Sequence, residues 1–127
     1  MLRLLFFKHG LYAAKYLKKM RIFGSMGEDC AWHCKKIPSE PELVFVGDNV
    51  HVSADVRFVT HDVISDMFNR CKKYKSYRHS FYKGKISIGD NVVIGVGSTL
   101  LYDTSIGSNV IVAAGAVVTR NIPIGEI

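Results

Sequence analysis

The chain has 127 residues, which is enough for one domain with a hydrophobic core of modest size. Lysine and arginine outnumber aspartate and glutamate by 17 to 11, so the formal charge of +6 favours anionic partners such as phosphates, acidic glycans, nucleic acid or membrane surfaces. The three cysteines form no disulfide framework, which is typical of the reducing cytoplasm, and we therefore expect a cytoplasmic protein.

The first predicted element is a basic amphipathic helix over residues 2 to about 20, within an N-terminal segment that we place at residues 1–23. Its apolar positions are Leu4, Leu5, Leu11, Tyr12, Tyr16, Leu17 and Met20, and its charged positions are Lys8, Lys15, Lys18, Lys19 and Arg21. We expect neither a signal peptide nor a membrane span, because the longest apolar run is far below the roughly 18 residues that a span needs. We expect the helix to pack on the end of the domain or on a neighbouring subunit. The alternative is a peripheral contact with an anionic membrane surface near lipid-linked glycans.

The domain itself is placed at residues 24–127, and its first part is irregular. Cys30, His33 and Cys34 lie within five residues of one another and offer two types of metal ligand. A structural zinc site needs a second such cluster, and the sequence has none, so we expect no metal.

From Val46 onward the chain repeats every six residues. One aliphatic or aromatic residue heads each hexad: Val46, Val52 and Phe58, and later Ile88, Ile94, Leu100, Ile106, Val112 and Val118. Three positions further on stands a turn-former: Asn49 and Asp55, and later Asn91, Gly97, Asp103, Asn109, Gly115 and Asn121. Helices need a period of 3.6 and amphipathic strands a period of two, so a period of six indicates short strands separated by bends, stacked as a solenoid. Asparagine, aspartate and glycine suit the bends because they adopt left-handed backbone conformations at low cost.

The hexad stops at His61, which occupies a bend position, and resumes at Ile86. Residues 63 to about 85 are therefore predicted to form one long loop extruded from the coil. The loop is rich in basic and aromatic residues: Arg70, Lys72, Lys73, Tyr74, Lys75, Tyr77, Arg78, His79, Phe81, Tyr82, Lys83 and Lys85. Interleaved lysine, arginine and tyrosine would suit single-stranded nucleic acid. A solvated loop beside a subunit-interface site explains them as well, and we expect no nucleic-acid partner.

Three of the hexads, at residues 88–93, 94–99 and 106–111, resemble those of the hexapeptide-repeat acyltransferases. The resemblance implies an all-β fold, a left-handed parallel β-helix that is triangular in section with three hexads per coil. The period alone indicates only a solenoid. Relatives of this type continue beyond the equivalent of Pro123 with a further strand and a cap, so we expect an unpaired edge on the last coil.

The run Val56-Arg57-Phe58-Val59-Thr60-His61-Asp62 resembles the active-site strand of acetyltransferases from polysaccharide gene clusters. The resemblance implies transfer of an acetyl group from acetyl-coenzyme A (acetyl-CoA) to a sugar hydroxyl or amine, in a homotrimer whose site lies between two subunits. His61 matches the general base, which a hydroxyl acceptor needs at neutral pH. Asp62 occupies an otherwise small or aliphatic position, so either the coil breaks here or Asp62 bonds locally, for example with His61. Both residues would also fit a coil exit without a catalytic role.

For the co-substrate, residues 112–120 match the last full hexads of the same family. The resemblance implies that Ala114 and Thr119 line the pantetheine and adenine groove through their backbones, and that Arg120 approaches a phosphate of coenzyme A. Taken as structural residues alone, Ala113 and Ala114 would be tight-packing positions.

Two other functions compete with an acetyltransferase. A β-helical carbonic anhydrase would need three histidines around zinc; His51 and His61 lie in the coils, but no histidine follows His79. A catalytically inactive solenoid that serves as an assembly or binding module is the alternative from another class. We predict an O-acetyltransferase, with His61 and Asp62 as its catalytic residues.

Overall fold

The computed structural model describes residues 8–74, 76 and 78–127, and these residues include eleven short strands. The strands are β1 (Ser25–Met26), β2 (Ala31–Trp32), β3 (Val44–Val46), β4 (Val50–Val52), β5 (Arg57–Val59), β6 (Ile86–Ile88), β7 (Val92–Ile94), β8 (Thr99–Leu101), β9 (Thr104–Ile106), β10 (Val110–Val112) and β11 (Val117–Val118). The helices are α1 (Gly10–Lys19) and α2 (Ile64–Arg70), with 3₁₀ turns at Pro41–Leu43 and Lys72–Tyr74.

Three parallel sheets enclose the core, in the strand orders β1-β3-β6-β9, β2-β4-β7-β10 and β5-β8-β11. From β3 onward, successive strands belong to successive sheets, so the chain winds as a parallel β-helix. Val92 pairs with Val110, eighteen residues later, which is three hexads per coil. The predicted all-β solenoid of hexads is confirmed.

The hexad positions have the environments that the sequence predicts. All nine residues that head a hexad are buried, and their side chains form the core. Seven of the bends have positive φ values between 53° and 71°: Asn49, Asp55, Asn91, Gly97, Asp103, Asn109 and Gly115. The hexad also predicts bends at His61 and Asn121, but neither residue has a positive φ. His61 instead pairs with Lys83 where the long loop begins and ends.

Asparagine side chains form a hydrogen-bonded ladder along one corner. Asn49 Nδ2 donates to Asn91 Oδ1 at 3.0 Å, and Asn91 Nδ2 donates to Asn109 Oδ1 at 3.1 Å. The bend residues therefore bind adjacent coils to each other as well as turning the chain.

Helix α1 packs against β2 through Gly10, Ala13, Ala14 and Leu17, which are buried. A Cβ on Gly10 would lie 2.6 Å from His33 Nε2, so a larger residue there would require the exposed ring of His33 to move. The predicted helix began near residue 2, and residues 1–7 lie outside the described part of the chain. Within the described residues, no helix is long and apolar enough to cross a membrane.

The long loop, which we call the excursion, leaves the coil after His61 and returns at Lys83, and these two residues form an antiparallel bridge. Paired residues Val50 and Val92 are 42 positions apart, whereas Val92 and Val110 are 18 apart, so the excursion adds 24 residues to one coil. The interior of the excursion is ordered by a pair of hydrogen bonds. Asn69 Nδ2 donates to the His79 carbonyl at 2.9 Å, and His79 N–H donates to Asn69 Oδ1 at 2.8 Å. This is the behaviour of a compact loop that packs on its own side chains.

Candidate active site

The candidate residues cluster where the strands of the third sheet end. His61 follows β5, Tyr102 and Asp103 follow β8, and Arg120 follows β11. Because these strands are parallel and in register, their carboxyl ends meet at one edge. With neighbouring strands about 4.8 Å apart, the ends of β5 and β11 are separated by roughly 10 Å. The structure thus places His61 and Arg120 on the same edge, two coils apart.

A buried carboxylate from the first coil contacts the imidazole. His61 Nδ1 lies 2.8 Å from Glu40 Oε2, and the side chains are 28% and 10% exposed, respectively. Glu40 accepts from Nδ1 when that nitrogen carries the proton, which leaves Nε2 of a neutral ring with its lone pair free. This is the arrangement of a base oriented by a third group.

Glu40 is held by three neighbours. The hydroxyl of Thr60 donates to Oε2, and Lys83 Nζ lies 3.7 Å from Oε1. Burial by itself raises the pKa of Glu40. The hydrogen bonds from Thr60 and His61 and the nearby positive charge lower the pKa by more than burial raises it, so the pKa is below its usual value. The carboxylate therefore stays ionised beside the imidazole.

Asp62 makes different contacts from those that its position beside His61 suggested. The N–H of Ile64 donates to Asp62 Oδ1 at 2.8 Å, and the hydroxyl of Tyr102 donates to Oδ2. The hydrogen bond from Tyr102, and then that from Ile64, lowers the pKa of Asp62. The coil does break here, because α2 begins at Ile64. The carboxylate that orients the ring of His61 is that of Glu40.

A second tyrosine–carboxylate pair lies beside the first. Tyr82 donates to Asp103 Oδ2 at 2.8 Å, and the rings of Tyr82 and Tyr102 are 6.0 Å apart. We call Asp62, Tyr82, Tyr102 and Asp103 the tyrosine clamp. The hydrogen bonds to Asp62 and Asp103 raise the pKa values of Tyr102 and Tyr82, respectively. The clamp fastens both ends of the excursion to the bend after β8.

An exposed aromatic ring borders His61. The ring of Phe81 lies 5.1 Å from the imidazole and is 54% exposed. Lys83 Nζ lies 5.8 Å from the centre of the same ring. The candidate base is therefore bordered by an exposed aromatic ring that has a cation over it.

The predicted co-substrate residues lie at two places on the last coil. Thr119 and Arg120 are exposed and line an open groove of about 510 Å³. Ala114 lies at the bend before β11, and its backbone packs tightly against Gly95, where a Cβ would come within 2.4 Å of the Ala114 nitrogen. This contact is made by the backbone of Ala114, whose side chain is exposed, so the co-substrate role of Ala114 stays a prediction.

Glu40, Phe81 and Tyr102 were not recognised as site residues from the sequence. The position of Glu40 follows from the register of the first two coils. Ala31 pairs with His51, twenty residues later, and the same offset places Glu40 beside Thr60. Phe81 and Tyr102 depend on how the excursion folds back, and no local pattern indicates that.

No group of three or more potential metal ligands occurs among the described residues. His51, one of the histidines considered for zinc, bonds through Nε2 to Asn49 Oδ1 at 2.9 Å.

Comparison with known proteins places these features in context. Residues 85–120 match the profile of the bacterial transferase hexapeptide (six repeats). Protein CapG of Staphylococcus aureus is 41% identical over 109 residues, which are 83% of this chain and 60% of that protein. The chain thus spans about three fifths of the length of this relative.

Solved structures share the fold at low identity. A hexapeptide-repeat acetyltransferase from Vibrio cholerae matches with a TM-score of 0.57 and 19% identity, over 90% of this chain and 76% of that one. A maltose O-acetyltransferase from Clostridium difficile matches with a TM-score of 0.53 and 21% identity, over 90% of this chain and 78% of that one. Serine acetyltransferase isoform 3 from Entamoeba histolytica matches with a TM-score of 0.54 and 21% identity, over 92% of this chain and 38% of that one. The predicted left-handed parallel β-helix is the fold that these structures share with this chain.

Proposed function

The chain belongs to the hexapeptide-repeat transferases, and on that premise we propose that it moves an acetyl group from acetyl-CoA to a hydroxyl or amine of a sugar or glycan precursor in the cytoplasm. The observation that carries this proposal is the pairing of His61 with the buried Glu40. A histidine held in this way has one nitrogen fixed and the other available to the acceptor. That is what activation of a hydroxyl at neutral pH requires.

In the proposed reaction, Nε2 of His61 takes the proton of the acceptor hydroxyl as the oxygen attacks the acetyl carbonyl carbon. The thioester supplies an activated acyl group, and its C–S bond breaks when the new ester bond has formed. The proton then passes from the imidazolium to the departing thiolate, which restores the neutral ring. Glu40 stabilises the transient imidazolium through the bond to Nδ1.

Phe81 suggests where the acceptor lies. An exposed ring in contact with the base offers an apolar face on which one side of a sugar ring can pack while its hydroxyls face outward. Lys83 at the edge of this ring favours an acceptor with a negative charge nearby, such as a nucleotide sugar or an acidic sugar.

For acetyl-CoA, the groove on the last coil fits the chemistry of the co-substrate. Small side chains at Ala113 and Ala116 leave the floor accessible, and Arg120 supplies an exposed cation for a phosphate. Thr119 and the backbone near Ala114 would hold the pantetheine arm. Arg120, which lines the groove, follows β11 at the same sheet edge where His61 follows β5.

We propose a homotrimer in which a second copy completes the site. Val93 and Ile111 are exposed and adjacent on the outer face of the second sheet, in a surface bordered by the asparagine ladder. An apolar strip of this kind on a regular sheet suits contact with another copy. Sedimentation of a stable, fully active monomer would contradict the trimer.

The deciding experiment is acetyl transfer from labelled acetyl-CoA to a panel of nucleotide sugars and lipid-linked glycans. His61→Ala should lose on the order of 10²–10⁴-fold in turnover while retaining coenzyme A binding. His9→Ala is the matched control, since it removes an exposed histidine at the N-cap of α1 that makes no capping hydrogen bond through its side chain. If His61→Ala keeps parental turnover, His61 is only a turn residue. If the parent binds no coenzyme A at all, the inactive assembly module is the better description.

A further inference from the structure

The positive charge of this protein is concentrated at one end of the chain. Six of the 17 basic residues lie within residues 1–27, together with none of the 11 acidic ones. Residues 28–127 contain the other 11 basic residues and all 11 acidic residues, so their formal charges cancel. The entire net charge of +6 is therefore carried by the segment that contains α1. The excursion, basic as it is, is offset by acidic residues on the coils.

Helix α1 presents a second face that the solenoid does not cover. Ala13, Ala14 and Leu17 are buried against the first coil. On the opposite side Leu11 and Tyr12 are 52% and 60% exposed. Lys15 and Lys19 stand on that same side and are exposed, because residues four apart lie above one another on a helix.

Apolar residues also precede the helix in the sequence, where Leu2, Leu4, Leu5, Phe6 and Phe7 occur within the first seven positions. This end of the chain therefore combines a high positive charge, no acidic residue and many large apolar side chains. That composition is typical of segments that lie in the interface of a membrane, where apolar groups enter the acyl boundary and lysines meet anionic headgroups.

We propose that α1 binds the surface of an anionic membrane, with its outer face, which carries Leu11, Tyr12, Lys15 and Lys19, against the lipid. The solenoid does not cover the outer face of α1, because it is the opposite face of the helix that packs on β2. A second copy of the same face would bring like charges together. Nucleic acid would use the lysines but would leave Leu11 and Tyr12 in water. The acceptor site of an enzyme held in this way would lie close to membrane-bound substrates, whatever their identity.

The test is co-sedimentation of the full chain with vesicles of phosphatidylcholine alone and of phosphatidylcholine with about one third phosphatidylglycerol. Each basic residue near an anionic surface contributes on the order of fivefold in affinity. The parent should pellet with the anionic vesicles and stay in solution with the neutral ones. Lys15→Glu/Lys19→Glu should bind at least roughly 25-fold more weakly, because two such contributions are lost and repulsion is added. Lys72→Glu/Lys73→Glu, with the same charge change on the excursion, should bind like the parent.

A second variant separates a membrane from a generic polyanion. Leu11→Ser/Tyr12→Ser keeps every charge and should weaken vesicle binding at least roughly threefold, since the buried apolar area is lost. Circular dichroism and gel filtration should show that both pairs of exposed substitutions leave the fold intact. Equal binding of the parent to neutral vesicles would overturn the proposal, as would full binding by Lys15→Glu/Lys19→Glu. Unchanged vesicle binding by Leu11→Ser/Tyr12→Ser, with equally tight binding to polyuridine, would assign the segment to nucleic acid instead.

Discussion

Nδ1 of His61 lies 2.8 Å from a carboxylate oxygen of Glu40, which is 21 residues earlier in the chain and one coil away. The neighbouring Asp62 instead accepts hydrogen bonds from the N–H of Ile64 and the hydroxyl of Tyr102. Two carboxylates thus have separate tasks at one corner. Glu40 bonds to the imidazole of His61, and Asp62 bonds to the groups that hold the backbone where the excursion begins.

The first prediction concerns Glu40→Gln, which keeps the size of the side chain and removes its charge. Without the carboxylate, the transient imidazolium of His61 is less stabilised, so kcat should fall by on the order of tenfold. The measurement is kcat at saturating acceptor and acetyl-CoA. An unchanged kcat in Glu40→Gln would separate Glu40 from the base.

The second prediction concerns the tyrosine clamp. The hydrogen bond to Asp62, and to a lesser degree its charge, raises the pKa of Tyr102; Asp62→Asn weakens the first and removes the second, so one tyrosine should ionise at lower pH in an alkaline absorbance titration. Turnover should fall less than in His61→Ala, and the KM for the acceptor should rise because the excursion is held less firmly. Tyr102→Phe should reproduce the rise in KM. If Asp62→Asn is as inactive as His61→Ala, then Asp62 acts directly on the reaction.

The third prediction concerns Arg120. Arg120→Ala should raise the KM for acetyl-CoA with little change in kcat, and high salt should reproduce part of this effect in the parent. Arg120→Lys should keep most of the affinity, because a point charge also attracts phosphate. Arg70→Ala is the control for net charge, since it removes an exposed arginine from the excursion. Equal KM values in Arg120→Ala and the parent would show that the side chain does not meet the phosphate.

The fourth prediction is a loss of stability in acid. The pKa of Glu40 lies below its ordinary 4.5 and that of Asp62 below its ordinary 3.8. A group whose pKa is lower in the folded state contributes stability above its unfolded pKa and loses it as pH falls through the folded value. The free energy of unfolding in urea should therefore be level near pH 6 and decrease below about pH 4.5. In Glu40→Gln/Asp62→Asn this decrease should be shallower, and an equally steep one would contradict the assignment.

The fifth prediction separates two glycines of one hexad. Gly97 has a φ of +70° and open space around it, so Gly97→Ala should cost about 1–2 kcal/mol from backbone conformation alone. Gly95→Ala would place a Cβ 2.4 Å from the Ala114 nitrogen, so adjacent coils would have to separate. We expect the larger loss of Tm for Gly95→Ala, together with weaker coenzyme A binding. A larger loss for Gly97→Ala would contradict the packing described here.

Much of the fold follows from the sequence because a β-helix is locally repetitive. Whether Ile94 points inward and Asn91 turns the chain is decided within a few residues of each. The position of Glu40 is decided by the stacking of the irregular first coil, whose offset is twenty residues where later coils have eighteen. The hexad therefore identified the corner at His61 but not the carboxylate that reaches it. The catalytic and co-substrate roles of His61, Asp62, Ala114, Thr119 and Arg120 stay predictions.

The antiparallel bridge between His61 and Lys83 has a consequence for how such a protein changes over evolutionary time. The inserted 24 residues enter and leave at neighbouring points, and the strand pairs above and below them keep the same register as elsewhere. The entropy of closing such a loop grows only slowly with its length. Insertions, deletions or wholesale replacement of the segment are thus tolerated by the coils, which keep the groove at Arg120 unchanged. Under the proposed function, a change of acceptor would require changes in this one segment, while the residues proposed to bind acetyl-CoA stay the same.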